Sequence, residues 1–146
     1  MKEHLFVEIK KSYNLVIEIM KHHAKKYNIN HIQLSIILLA CTKDVNVSML
    51  ANTLDITKSA VSQAITGLLM KRLVIRQNNP DDKKVYYIKP TQKAIDIKKD
   101  IYNINEAKYQ QLLNKISIEE IIQMNNLIHK FNSVIKSFSN SREEIC

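Results

Sequence analysis

The amino-acid sequence predicts a mainly α-helical protein carrying one small β-hairpin, and three observations predict it. One glycine and two prolines among 146 residues leave little material for tight turns, which favours long helices joined by short connections. Apolar residues recur at spacings of three and four along most of the chain. Only between Leu73 and Ile88 does the period change, where two β-branched or aromatic runs flank a polar Asn-Pro-Asp segment.

In chain order, Leu5, Ile9, Tyr13, Val16, Met20 and Ala24 form the stripe of an amphipathic first helix, widened by Phe6 and Ile17. Asn28-Ile29-Asn30 breaks it. From His31 to Cys41 the chain is apolar nearly all round, as a buried central helix is. Ser48 can cap a short helix running through Leu54, with Leu50, Ala51 and Leu54 inward. Asp55-Ile56-Thr57 then turns, and Thr57 can cap a further helix from Lys58 to about Arg72. In that helix Val61, Ala64, Ile65 and Leu68 share one face. The hairpin follows, with a long polar tip from Arg76 to Lys84. Pro90-Thr91 closes it, and Thr91 can cap a long helix with Ala94, Ile97, Ile101, Ile104, Leu112 and Leu113 among its apolar positions. Ser117-Ile-Glu-Glu120 is a capping box, in which the Ser oxygen and the Glu carboxylate satisfy each other's orphan amides. The last helix presents Ile118, Ile121, Met124, Ile128, Phe131 and Ile135.

The length suits one domain, and 45% hydrophobic with 25% charged residues is a globular composition. No run approaches the roughly 18 apolar residues of a membrane span, and no basic-then-apolar opening suggests a signal peptide. With only Cys41 and Cys146, a disulfide framework is excluded and a reducing, cytoplasmic setting is expected. The net charge of +8 is uneven: Asp55 to Lys93 holds eight basic residues against three acids, whereas Ala94 to Cys146 holds seven of each. A basic middle beside a neutral tail points to one face that meets a polyanion.

The middle segment has the parts of a helix-turn-helix: a bracing helix, a tight turn, and a second helix whose outer face is polar. That face carries Thr57, Lys58, Ser59, Ser62, Gln63 and Thr66, with no acid to repel phosphates. Gln63 can pair with an adenine edge, and the hydroxyls can contact bases or phosphates. Arg76, Lys83 and Lys84 place positive charge on the hairpin. Double-stranded DNA is the partner this pattern fits. Gly67 costs helix propensity, which either a close backbone approach or a chance surface glycine would explain.

Val47-Ser-Met-Leu-Ala-Asn-Thr-Leu-Asp-Ile-Thr-Lys-Ser-Ala-Val-Ser-Gln-Ala-Ile65, followed by Leu68 and Leu73-Val-Ile-Arg76, resembles the helix-turn-helix of the MarR family as it enters its wing. Pro80-Asp-Asp-Lys-Lys84 stands where that family has an Asp-Arg-Arg wing tip, and Pro90-Thr-Gln-Lys93 is similar to its post-wing helix start. Ser117 to Glu120 matches a common opening of its last helix. The resemblance covers roughly residues 5 to 138. It implies a winged helix-turn-helix core over about residues 31–90, with dimerisation helices over about 3–27 and 91–138. It further implies a homodimeric, sequence-specific transcriptional regulator, generally a repressor, on pseudo-palindromic DNA. Recognition helices would lie in major grooves, and wings would reach minor grooves. The chain departs from the pattern with Asp55 and Arg72 where glycines are usual, and with lysines for the wing arginines. If position 72 keeps a positive φ, Arg72 bears about 1 kcal/mol of strain. Lysine also lacks arginine's planar fork, which favours phosphate contact over groove insertion.

Cys41 invites a redox-responsive reading, though a thiol ending an apolar run is more readily a buried, inert one. His4, His22, His23, His31 and His129 have no spacing that completes a metal site, so no metal or cofactor is expected. Tyr13, Tyr27, Tyr102 and Tyr109 could line a cavity for a small aromatic effector, or could simply pack. A winged-helix protein-interaction module is the competing function. An enzyme is not expected, since no phosphate loop, metal pair or nucleophile beside a base is present.

Overall fold

In the computed structural model, which describes residues 2–80 and 82–140, six helices and a hairpin alternate in the expected order. They are α1 (Lys2–Lys26), α2 (His31–Ala40), α3 (Val47–Leu54), α4 (Lys58–Met70), β1 (Val74–Asn78), β2 (Tyr86–Pro90), α5 (Gln92–Leu113) and α6 (Ile118–Asn140). Asp81 of the hairpin tip and Cys146 lie outside the described residues, as do the side chains of Tyr109, Leu112 and Leu113. Residues through Tyr102 form one compact unit and those from Asn103 a second, with α5 running across the boundary.

The core belongs to the first unit. α2 is its centre, with Leu34, Ile36 and Ile37 fully buried against Leu50 of α3, Val61, Ile65 and Leu68 of α4, Ile88 of β2 and Ala94 of α5. The nearly uninterrupted apolar sequence of α2 is explained by this surrounding on several sides. β1 and β2 pair antiparallel with Arg76 opposite Ile88 and Asn78 opposite Tyr86. Val45, ahead of α3, adds a bridge to Ile88, whose N–H donates to the Val45 carbonyl at 2.8 Å.

Two boundaries correct the sequence reading. α3 is capped by Asn46 and not by Ser48: the Asn46 side-chain oxygen accepts from Met49 N–H at 2.9 Å. Arg76 to Asn78, expected in the tip, are paired in β1, because ladder hydrogen bonds outweigh the low strand preference of polar residues. The capping box at Ser117 and Glu120 forms as expected, with reciprocal bonds of 2.8 and 3.2 Å.

With so little glycine, three helices end on left-handed residues bearing full side chains: Asn28 (φ 55°), Asp55 (φ 52°) and Arg72 (φ 57°). After α1, Ile29 N–H returns to the Ala24 carbonyl, and after α4, Leu73 N–H returns to that of Leu68; both are six-to-one closures that use up orphan carbonyls. Thr91 clasps the second of these closures. Its hydroxyl lies 2.9 Å from the Arg72 carbonyl, and its backbone N–H donates to Leu73 at 3.0 Å.

Candidate nucleic-acid interface

α4 begins where Thr57, in extended conformation, accepts Ala60 N–H on its hydroxyl oxygen at 3.1 Å. This leaves the Thr57 O–H free to donate outward. Val61, Ala64, Ile65 and Leu68 are buried, while Lys58, Ser59, Ser62, Gln63 and Thr66 are exposed. Turning the helix to hide the polar face would expose Val61, Ile65 and Leu68 at about 1.5–3 kcal/mol apiece. The outward face is therefore fixed by the inward one. Thr66 donates its hydroxyl proton to the Ser62 carbonyl at 3.0 Å, so toward a ligand it offers only an acceptor. The face joins four hydroxyls, that of Thr66 already donating to Ser62, with an amide, one ammonium and the N–H groups that open the helix, an arrangement suited to phosphate and base edges.

On the hairpin, Arg76 is exposed and its guanidinium stands 4.6 Å over the Tyr86 ring. The stack restricts a long side chain that would otherwise lose rotamer freedom on binding. Asp82 helps fold the tip: its carboxylate accepts Lys84 N–H at 2.9 Å. Lys83 and Lys84 project from that turn, both exposed. A cleft of about 160 Å³ is lined by Asn46, Val47 and Ser48 on one side and Lys84, Val85 and Tyr86 on the other. The tip's basic end thus abuts the start of α3.

Tyr86, Asn46 and Gln33 take part in this architecture and escaped the sequence reading. Asn30-x-x-Gln33 is a capping-box spacing and could have been found, since Asn serves as Ser does there. Tyr86 and Arg76 are linked only through strand register, which no local pattern reveals.

Cys41 is half-buried, and burial pushes its thiol above its ordinary range, opposed by the charge of Lys98. It holds less thiolate at neutral pH than a free cysteine, the opposite of a reactive sensor. No group of three or more His, Cys, Asp or Glu among the described residues could hold a metal ion. Of the four tyrosines, Tyr13 and Tyr102 are exposed. Tyr27 lines the cavity of about 730 Å³ formed with Lys26, Asn28, Lys71, Leu73, Lys93, Asp96, Ile97 and Asp100. There Lys26 donates to Asp100 at 2.7 Å and the Tyr27 hydroxyl donates to the same carboxylate. The bond from Lys26, then that from Tyr27, holds Asp100 below the usual carboxylate range. Burial and the bond to Asp100 push the Tyr27 phenol up, and the bond to Asp100 does the same for Lys26.

A helix-turn-helix backed by a buried third helix and followed by a paired hairpin defines a winged helix-turn-helix protein. Residues 30–86 match the MarR family model. Among curated proteins, the HTH-type transcriptional regulator MhqR of Bacillus subtilis is 22% identical over 137 residues, covering 93% of this chain and 94% of its own. The chain is thus similar to MarR-family transcriptional regulators, over the family model's residues 30–86 and over most of the length of the curated relative. Solved structures share the fold. A MarR protein from Peptoclostridium difficile superimposes with a TM-score of 0.78 at 19% identity, covering 94% of this chain and 90% of that one. Streptococcus pneumoniae FabT, solved in complex with DNA, does so with a TM-score of 0.75 at 18% identity, covering 94% and 99%. No helix among the described residues is long and apolar enough to cross a membrane.

Proposed function

We propose that this chain is a cytoplasmic transcriptional regulator that binds double-stranded DNA as a homodimer on pseudo-palindromic sites, with repression the expected outcome. The acid-free, solvent-facing side of α4 is the observation that carries this reading. In it, Ser59, Ser62 and Gln63 read base edges in the major groove. Thr57 and Lys58 hold the phosphate backbone, Thr66 offers its acceptor lone pair to a base-edge donor, and Arg76, Lys83 and Lys84 engage phosphates beside the adjacent minor groove. The structure of FabT in complex with DNA and the regulator relative from Bacillus subtilis support it by kinship. Homodimerisation is supported by exposed apolar side chains on α1 and α6, among them Leu5, Val16, Ile118 and Leu127. The core at about residues 31–90 would then be the reading head, and the segments at about 3–27 and 91–138 the arms that pair.

Selection of duplexes from a random pool by the purified protein, followed by sequencing, tests the proposal. Enrichment of a two-fold symmetric motif with half-sites about one helical turn apart is expected. A pool that emerges unenriched overturns it.

A further inference from the structure

We propose that Gln33 is a positioning residue for DNA recognition: its side-chain amide, seated against Ala64 and the side-chain-free backbone of Gly67, sets the height and roll at which α4 presents Ser59, Ser62 and Gln63. The inference rests on the regulator reading above and adds to it the device that aims the reading helix.

Gln33 is a polar residue in the core, 9% exposed, and only His23 shares that status among the described residues. It stands in the first turn of α2, where its backbone N–H donates to Asn30 Oδ1 at 2.8 Å and its Oε1 accepts Asn30 N–H at 3.1 Å. The other end of the same amide, Nε2, donates to the Ala64 carbonyl in the middle of α4 at 3.3 Å. One planar group is thus anchored at the capped end of α2 and bonded to the backbone of α4.

The lone glycine of the chain sits opposite. A Cβ placed on Gly67 would lie 2.4 Å from Gln33 Nε2, closer than real Cβ contacts come. Gly67 has a negative φ and lies within the helix, so no left-handed backbone requires it there. Glycine is a poor helix former. The amide end of Gln33 occupies the space a side chain at 67 would take, so any larger residue there has to displace that amide.

Apolar burial fixes which face of α4 turns outward, but being non-directional it sets small shifts along and about the helix axis less sharply than a hydrogen bond does. The bond from Nε2 to Ala64 is directional, and Ala64 is the immediate neighbour of Gln63. Hydrogen bonds to base edges tolerate only a few tenths of an ångström. Flexible lysines on phosphates tolerate far more. A shift of α4 should therefore reduce sequence-specific binding and spare non-specific binding.

The full-length protein and four variants, Gly67→Ala, Gln33→Met, Gln33→Ala and Gln33→Ala/Gly67→Ala, are titrated against a duplex the wild type selects and against random duplex, with thermal melts alongside. Gly67→Ala should lose about tenfold on the selected duplex, the worth of one base-edge pairing, and nothing on random duplex. Its melting temperature should move by only a few degrees, since alanine's better helix propensity offsets much of the lost amide bond. Gln33→Met, which keeps the volume and removes the directional bond, should lose specificity likewise and covers the case of a Gly67→Ala that fails to fold. In the Gln33→Ala background the added methyl meets open space, so Gly67→Ala should cost nothing further. Unchanged specificity in Gly67→Ala and Gln33→Met, or the same loss from Gly67→Ala in both backgrounds, overturns the inference while leaving the regulator reading standing. A wild type that selects no duplex overturns both.

Discussion

Gln63 and the lysines of the hairpin tip face solvent alike, yet their chemistry divides the work. An amide offers a donor and an acceptor in fixed register, which can match one base edge and mismatch another. An ammonium offers charge with little direction. Gln63→Ala is accordingly expected to lose about tenfold on a selected duplex and to leave random duplex nearly untouched. Joint replacement of Lys83 and Lys84 by alanine should weaken both alike and lower the salt slope by about 0.9 for each phosphate that is no longer neutralised. Gel-shift titrations over a salt series measure both. Equal losses for the two classes on the two duplexes would dissolve the division. The polar face that supports this argument was legible in the sequence, because a helical period fixes which residues point out once the apolar ones point in. The state of each polar group was not: Thr66 is bonded to Ser62, and Arg76 is stacked on Tyr86. Such local competition for donors is invisible to spacing.

The helices are well bounded despite the scarcity of glycine, and this follows from how they end. Arg72 occupies a left-handed conformation that costs a residue with a Cβ about 1 kcal/mol, held there by the return of Leu73 N–H to Leu68 and by Thr91. Arg72→Gly should therefore raise stability by about 1 kcal/mol, read as a higher urea midpoint at unchanged m-value; a lower midpoint would show that the Arg72 side chain contributes more than its backbone strain removes. The corner after α1 is fastened differently, by Lys26 and Tyr27 converging on Asp100 of α5. Because Asp100 has its pKa lowered in the folded protein, its contribution is present above the unfolded value near pH 4 and is lost as pH falls through the lower folded value. Lys26 and Tyr27 have theirs raised, so their contribution is present below about pH 10 and lost as pH rises beyond it. The stability gap between wild type and Asp100→Asn should thus be level across neutral pH and close below about pH 4, as urea titrations at several pH values would show. A gap that ignores pH would place the effect of the substitution elsewhere. At this level the sequence was informative about existence and type, and less so about ends. Ser48 and Asn46 are both good caps two residues apart, and Val45, pinned to Ile88, decided for Asn46.

Across the whole molecule, what periodicity could not supply were the pairings between distant positions. Gln33 and Gly67 are ordinary residues singly, and only folding shows that the amide of one fills the place a side chain of the other would take. The same holds for the arms, whose apolar stripes are plain in the sequence while their partner is not. α6 exposes Ile118, Met124, Leu127 and Ile128, with Leu127 at 66%. In a monomer, these residues would gain from being made polar, and Leu127→Glu would be neutral or favourable. In a dimer built on α6, the same change buries a carboxylate in an apolar seam, where an unpaired charge is costly enough to prevent association. The two cases predict opposite results, so one substitution separates them. Sedimentation equilibrium is expected to give twice the chain mass for the wild type and the chain mass for Leu127→Glu. The melting temperature should rise with concentration only for the wild type. A monomer presents one reading head, so the variant should also lose the steep preference for two-fold symmetric duplexes while retaining weak binding to a single half-site. A wild type that sediments as a monomer at micromolar concentration would remove the homodimer from the proposed function and leave each α4 to read DNA alone.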